Sequence, residues 1–257
     1  MRSVVVEQAI AAPVSRIWRA CAQVEGLRAW QADEVSGTVR VGEQLVFGWP
    51  SLGVSVELDV EIIEGERRIA FRSDEARLEI SITPGQVTLT HTADFDEDEC
   101  EGTRSSWRLA LATLAHYLEH HDGRPRTVHW AVQRSATTID DAHAFFTLPE
   151  AQRGWLTRAG TGVGEEGSEI ALDLAWGRPL TGRVLSHTPP RDVLLSWRET
   201  NHSLLALRTL PSPDTDGERL LVATWSNWGT IPNADTAAQL DGAMNRLSRV
   251  LQKRATA

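Results

Sequence analysis

The chain is short of cysteine, tyrosine and lysine, and it contains no long apolar run. Each shortage removes a class of protein. The two cysteines, Cys21 and Cys100, stand in unlike contexts and form no disulfide framework, which points to a reducing compartment and a cytoplasmic location. No segment reaches the roughly 20 apolar residues of a spanning helix, so membrane insertion is not expected. Val4 to Val6 are followed by Glu7 and Gln8, too soon for a signal-peptide core. Lys253 is the single lysine; all other bases are arginine, a bias ascribed to the source composition rather than to bidentate recognition. A broad basic surface is missing too. Through Asp122 there are 21 acidic and 11 basic residues, and beyond it 14 and 15, which argues against a nucleic-acid partner.

What the chain does have is itself, twice. A displacement of 125 positions brings Val14, Ile17, Cys21 and Trp30 onto Ile139, Ala142, Phe146 and Trp155. It also brings Gly42, Leu45 and Phe47 onto Gly167, Ile170 and Leu172. At 257 residues there is room for two domains, each with its own core. The expected division is residues 1–122, a linker 123–127 of Gly-Arg-Pro-Arg-Thr, and residues 128–257.

Within the first half, residues 3–10 read as a strand rich in β-branched side chains. Pro13 then suits a first helical turn, and Val14, Ile17, Trp18 and Cys21 recur at helical spacing. A second short helix runs to Trp30. The period then changes to two. Val54, Val56, Leu58, Val60 and Ile62 alternate with polar residues, and so do the runs near 45–47, 69–71, 78–82 and 87–95. Such alternation predicts antiparallel strands with one covered face. The acidic stretch Asp96 to Glu101 reads as a solvated loop ahead of a helix over about 103–121, whose stripe is Trp107, Leu111, Leu114 and Leu118. The second half restarts with a strand over 128–135 and helices near 138–146 and 149–155. Strands follow near 168–176, 180–187, 192–199, 203–210 and 218–228, with a turn over 211–217. A closing helix over about 235–253 carries Leu240, Met244, Leu247 and Leu251.

Each half is thus a strand, two short helices, five or six antiparallel strands and a long helix. This resembles the helix-grip fold of the SRPBCC (START and birch-pollen-allergen-like) superfamily, and within it the branch named for the activator of the 90-kDa heat-shock protein's ATPase. The residues that carry the resemblance are Ile10-Ala11-Ala12-Pro13 with Ile17-Trp18, then Leu27 and Trp30, Val41-Gly42-Glu43, Thr88-Leu89-Thr90-His91, and Trp107 with Leu114 and Leu118. The second half keeps Trp155, Gly167 and Pro189-Pro190-Arg191. The resemblance implies an α+β fold of two helix-grip domains, each a curved antiparallel sheet wrapped around its long C-terminal helix. It is specific for fold rather than for activity, because the superfamily hosts binders, transporters and a few enzymes.

In that fold any gap between helix and sheet is a cavity lined by the inward-facing alternation. In the first half the candidates are Phe71, His91 and Trp107. In the second they are Trp197, Leu207, Trp225, Asn227 and Met244. Six of the ten tryptophans lie in the second half, so it is the favoured pocket. His91, the polar residue of an apolar strand face, reads either as a ligand-orienting or acid–base group or as a satisfied core histidine. His116, His120 and His121 invite a metal site, but no cysteine or acid cluster completes the ligand set, and a solvated helix end is expected instead. Gly160, Gly162, Gly164 and Gly167 lack the lysine of a phosphate cradle and read as a flexible connection. No nucleophile elbow, metal site or cofactor motif is expected. Three functions follow, in order: a binding protein for an apolar or amphipathic small molecule; a protein-interaction module, such as a chaperone partner; and an enzyme of cyclase or hydrolase type, for which His91, Asn227 and Arg208 are the available groups.

Overall fold

Alternation decides how the first strands lie. Val4 and Val6 are buried while Val5 and Glu7 face outward, and the strands that follow repeat this pattern against one covered face. In the computed structural model, which describes residues 1–212, 215, 217–229 and 234–255, the chain divides into two compact units, Met1–Arg126 and Thr127–Ala257. The first contains β1 (Arg2–Ala9), α1 (Val14–Ala22), α2 (Val24–Arg28), β2 (Glu34–Gly37), β3 (Gln44–Trp49), β4 (Val54–Glu64), β5 (Arg68–Arg72), β6 (Ala76–Thr83), β7 (Gln86–Ala93) and α3 (Glu97–His120). Its antiparallel sheet has the order β1-β7-β6-β5-β4-β3-β2.

The second series is β8 (Arg126–Ser135), α4 (Ile139–Thr147), α5 (Pro149–Gln152), β9 (Thr157–Gly160), β10 (Glu169–Leu174), β11 (Pro179–Thr188), β12 (Asp192–Trp197), β13 (Ser203–Pro211), β14 (Arg219–Trp228) and α6 (Ala234–Ala255). Its sheet order, β8-β14-β13-β12-β11-β10-β9, repeats the first strand for strand. The expected turn over 211–217 falls partly outside the described residues.

The likeness extends to irregularities. Gly42 and Gly167 both have φ in the left-handed region, +83° and +87°, where a side chain would be strained. The Gly42 N–H donates to the Val60 carbonyl at 2.9 Å, and the Gly167 N–H to that of Val184 at 2.8 Å. Each sheet then shifts register just beyond, between Val60 and Ile62 and between Val184 and Ser186.

Several expectations need correction. The bulge means that Ile63, rather than Ile62, pairs with Ile69. The edge strands β2 and β9 were not anticipated; β2 contains one buried residue, Val35, and offers no period to read. Gly160 closes β9, where a Cβ would lie 2.6 Å from the Leu172 side chain. The acidic stretch is no loop. Asp96 caps α3 by accepting from the Glu99 N–H at 2.8 Å, while the Glu99 carboxylate accepts from the Asp96 N–H at 2.8 Å. This reciprocal box, with Glu97 and Asp98 in the first turn, starts the helix six residues earlier than periodicity suggested.

The far end of α3 is not solvated either. His116 and His121 are buried, and the three histidine rings lie 4.6–6.1 Å apart. Among the described residues no group of ligating side chains could hold a metal ion. The expected linker is tied down as well. Asp122 accepts from Arg16 and Arg19 at 2.7 Å each, the Gly123 N–H donates to the Tyr117 hydroxyl at 2.9 Å, and Arg126 donates to the Trp30 carbonyl at 2.9 Å. Burial pulls the Arg126 guanidinium down to about 10 despite nearby Asp33.

In the first unit, Leu111, Leu114 and Leu118 of α3 are fully enclosed, whereas Trp107 is only half-buried. In the second, Leu240, Met244, Leu247 and Leu251 of α6 join one core with the sheet. Among the described residues no helix is long and apolar enough to cross a membrane.

Candidate functional site

The half-burial of Trp107 marks where α3 stands off the sheet. Below it lies a cavity of about 270 Å³ in the first unit. Three walls form it. From α2 and the turn after it come Leu27, Trp30 and Gln31; the Trp30 ring is fixed by its N–H donating to the Ala20 carbonyl at 3.0 Å. The sheet supplies Phe47, Phe71, Leu78 and Ile80, with Phe47 and Phe71 edge to face at 6.2 Å. The third wall is Trp107 itself. Trp49 and Val56 lie towards the β3–β4 end, where Val54 and Val56 are exposed although they belong to the inward set; Ser73, Glu75 and Ala76 complete the rim.

His91 is the polar group of the apolar walls. It stands on β7 between Val4 and Leu78. The Trp107 indole N–H donates to its Nδ1 at 3.0 Å. An indole nitrogen only donates, so Nδ1 is an acceptor and the ring proton sits on Nε2. Among the described residues Nε2 has no protein partner, and Phe95 packs on the ring edge to face at 5.1 Å. Burial lowers the His91 pKa, so the neutral imidazole is held near neutral pH. The second polar group is Gln31, whose buried Oε1 has no hydrogen-bond partner. No lysine or arginine lines the cavity.

Phe71, His91 and Trp107 are therefore brought together around one space. The second-half candidates are placed differently. Trp197, Leu207, Trp225 and Met244 belong to one cluster of buried residues, each no more than 3% exposed. Asn227 is half-buried, with its Nδ2 lacking a partner. Arg208 lies 3.8 Å from Asp192.

The register explains the difference. In the first sheet Phe71 pairs with Leu78, and Leu78 with His91; in the second Leu195 pairs with Leu205, and Leu205 with Trp225. Trp225 thus occupies the place of His91. Asp59 pairs with Arg72, and Arg183 with Ser196. One step further, Leu58 and Ser73 of the first half correspond to the pair Gly182 and Trp197 of the second. A Cβ on Gly182 would lie 1.7 Å from the Ser196 carbonyl oxygen and 3.1 Å from the Trp197 ring. The missing side chain makes room for the indole. The aromatic residues of the second half are part of its buried core.

Gln31, Trp49, Ser73 and Glu75 were not foreseen as lining residues. Trp49 continues the apolar face of Phe47 and was within reach of the alternation rule. The others follow non-periodic segments and had no sequence signal.

The chain matches no family model and none of the curated proteins. Among solved structures it is similar to DynU16, from the dynemicin biosynthetic locus, at 17% identity over 97% of this chain and 98% of that one, with TM-score 0.43. It is similar to the di-domain ARO/CYC StfQ from the steffimycin biosynthetic pathway at 11% identity over the whole of both chains, TM-score 0.46. The Aha1 dimer from Colwellia psychrerythraea matches at 18% identity over 48% of this chain and 100% of its own, TM-score 0.43. With TM-scores below 0.5 these likenesses carry no argument, and the fold rests on the chain's own topology. Two antiparallel seven-stranded sheets, each followed by a long helix, make this an α+β chain of two helix-grip domains in tandem.

Proposed function

We propose that the first half binds an apolar or amphipathic small molecule in the cavity between α3 and the sheet, and that the second half is a filled copy of the same fold. The observation that carries this reading is the apolar cavity itself, open at its rim. Interiors are normally close-packed, and a void of this size leaves the side chains around it without partners. Aromatic and aliphatic walls with a few placed polar groups are the usual composition of a small-molecule site. His91, held by Trp107, supplies one such group. The chain works in a reducing compartment without inserting into a membrane.

The test is a thermal-shift panel of neutral and charged apolar compounds, run on the whole chain and on a paired variant, Leu58→Ala with Ser73→Trp. The variant copies the arrangement of the second half and closes the space. A ligand that binds only the folded state raises the melting temperature in proportion to its occupancy. The expected outcome is a rise for wild type that the paired variant abolishes. Equal shifts in both proteins would place binding elsewhere and remove this reading.

A further inference from the structure

We propose that the cavity, taken as the ligand site proposed above, selects a molecule about two fused rings in size whose polar end is an uncharged hydroxyl or carbonyl group, and that it turns carboxylates away. Size follows from volume. A cavity of roughly 150 Å³ holds a benzene, and this one measures about 270 Å³. Polarity follows from His91. It offers an N–H at Nε2, because Trp107 occupies Nδ1. The Gln31 carbonyl oxygen, though unpartnered, has almost no accessible area and is closed to a ligand. One donor and no cation match a neutral acceptor.

Charge selection follows from what surrounds it. A buried carboxylate needs a cation or several donors, and the lining residues include no lysine or arginine. The one acid among them, Glu75, stands at the exposed rim. Through Asp122 the chain has 21 acidic against 11 basic residues, a field that disfavours anions before they arrive. Burial also disfavours protonation of His91, so the ring does not become the missing cation near neutral pH. A ligand ammonium would meet the aromatic walls and Glu75 but would have to leave water beside a histidine N–H that points the wrong pole at it.

Titration calorimetry on the whole chain at pH 7 with 2-naphthol, 2-naphthoate and 1-naphthylmethylammonium tests this. The expected result is that 2-naphthol binds wild type at least roughly tenfold more tightly than either charged probe and fails to bind the variant carrying Leu58→Ala and Ser73→Trp. His91→Phe should weaken 2-naphthol several-fold and leave naphthalene unchanged. Naphthoate or the ammonium matching 2-naphthol would overturn the charge selection while leaving the binding site standing. No binding by any of the three would overturn the binding site and this inference together. An unchanged affinity of His91→Phe for 2-naphthol would overturn the polar recognition.

Discussion

Trp30 and Trp155 make the same hydrogen bond in the two halves. The Trp30 indole N–H donates to the Ala20 carbonyl at 3.0 Å, and that of Trp155 to the Phe145 carbonyl at 3.0 Å. Donor and acceptor have both moved by 125 positions. The duplication therefore preserved a buried polar contact as well as an apolar pattern. In each half the bond ties the second short helical segment back to the end of the first. Trp30→Phe and Trp155→Phe should each cost about 1–2 kcal/mol, since each leaves a buried carbonyl with one partner fewer. Urea titration of the two variants measures it, and a negligible loss in either would deny the equivalence.

Asp96→Ala removes one arm of the reciprocal box that starts α3. Loss of such a cap costs about 0.5–2 kcal/mol. The melting temperature should fall, while Asp98→Ala, which lies in the first turn without forming the box, should change it less.

Gly182→Ala should be among the most damaging single substitutions in the second half. A methyl there meets the Ser196 carbonyl oxygen at 1.7 Å, which requires backbone movement rather than side-chain adjustment. A loss of more than about 3 kcal/mol is expected. Ready tolerance of alanine would mean that strands β11 and β12 do not approach as described.

Acid should weaken the second half through a histidine pair. His143 Nε2 lies 3.1 Å from His187 Nε2, with the rings stacked at 5.2 Å. His187 Nδ1 faces the Gly164 carbonyl at 2.8 Å and donates to it, so its Nε2 accepts from His143. Burial first, and His187 second, bring the His143 pKa from 6.5 to about 4, with Asp140 opposing. Between those values the unfolded chain takes up a proton that the folded one refuses. Stability is therefore fully present above about pH 6.5 and falls as the pH drops towards 4. The loss attributable to this pair is on the order of 1–2 kcal/mol once partial exposure is discounted. Urea midpoints at pH 7 and pH 5 should differ less in His143→Gln than in wild type; an equal difference would exonerate the pair.

How much of this was legible in sequence depends on the kind of signal. The strands from β3 to β7 were readable because alternation is a direct consequence of the pleat. The stripe of α3 was readable for the same reason at a different period. β2 was not, because four residues with one buried side chain have no period. The capping box was readable in principle, since Asp96 and Glu99 stand three apart, but the five acids together looked like a solvated loop. The bulges at Val60 and Val184 leave no mark on composition, and the first sets Ile63 rather than Ile62 opposite Ile69. The cavity was the hardest case. Phe71, His91 and Trp107 were named from inward parity alone. Whether an inward tryptophan lines a space or fills it depends on the residue across the next strand. Trp197 lies against Gly182, and Ser73 leaves its place open.

The exchange of Ser73 for Trp197 gives the molecule a built-in reference for optical measurements. Trp30, Trp49 and Trp107 surround the cavity, so their emission reports what enters it. Trp197, Trp225 and Trp228 are buried in the second unit, line no part of that cavity and see no such change. Responsive and silent fluorophores of one chemical kind thus travel in one chain at fixed stoichiometry. A ligand that alters only the responsive set produces a partial change with a constant residue of unaltered emission. General unfolding, by contrast, alters both sets, and the two events are told apart in a single spectrum.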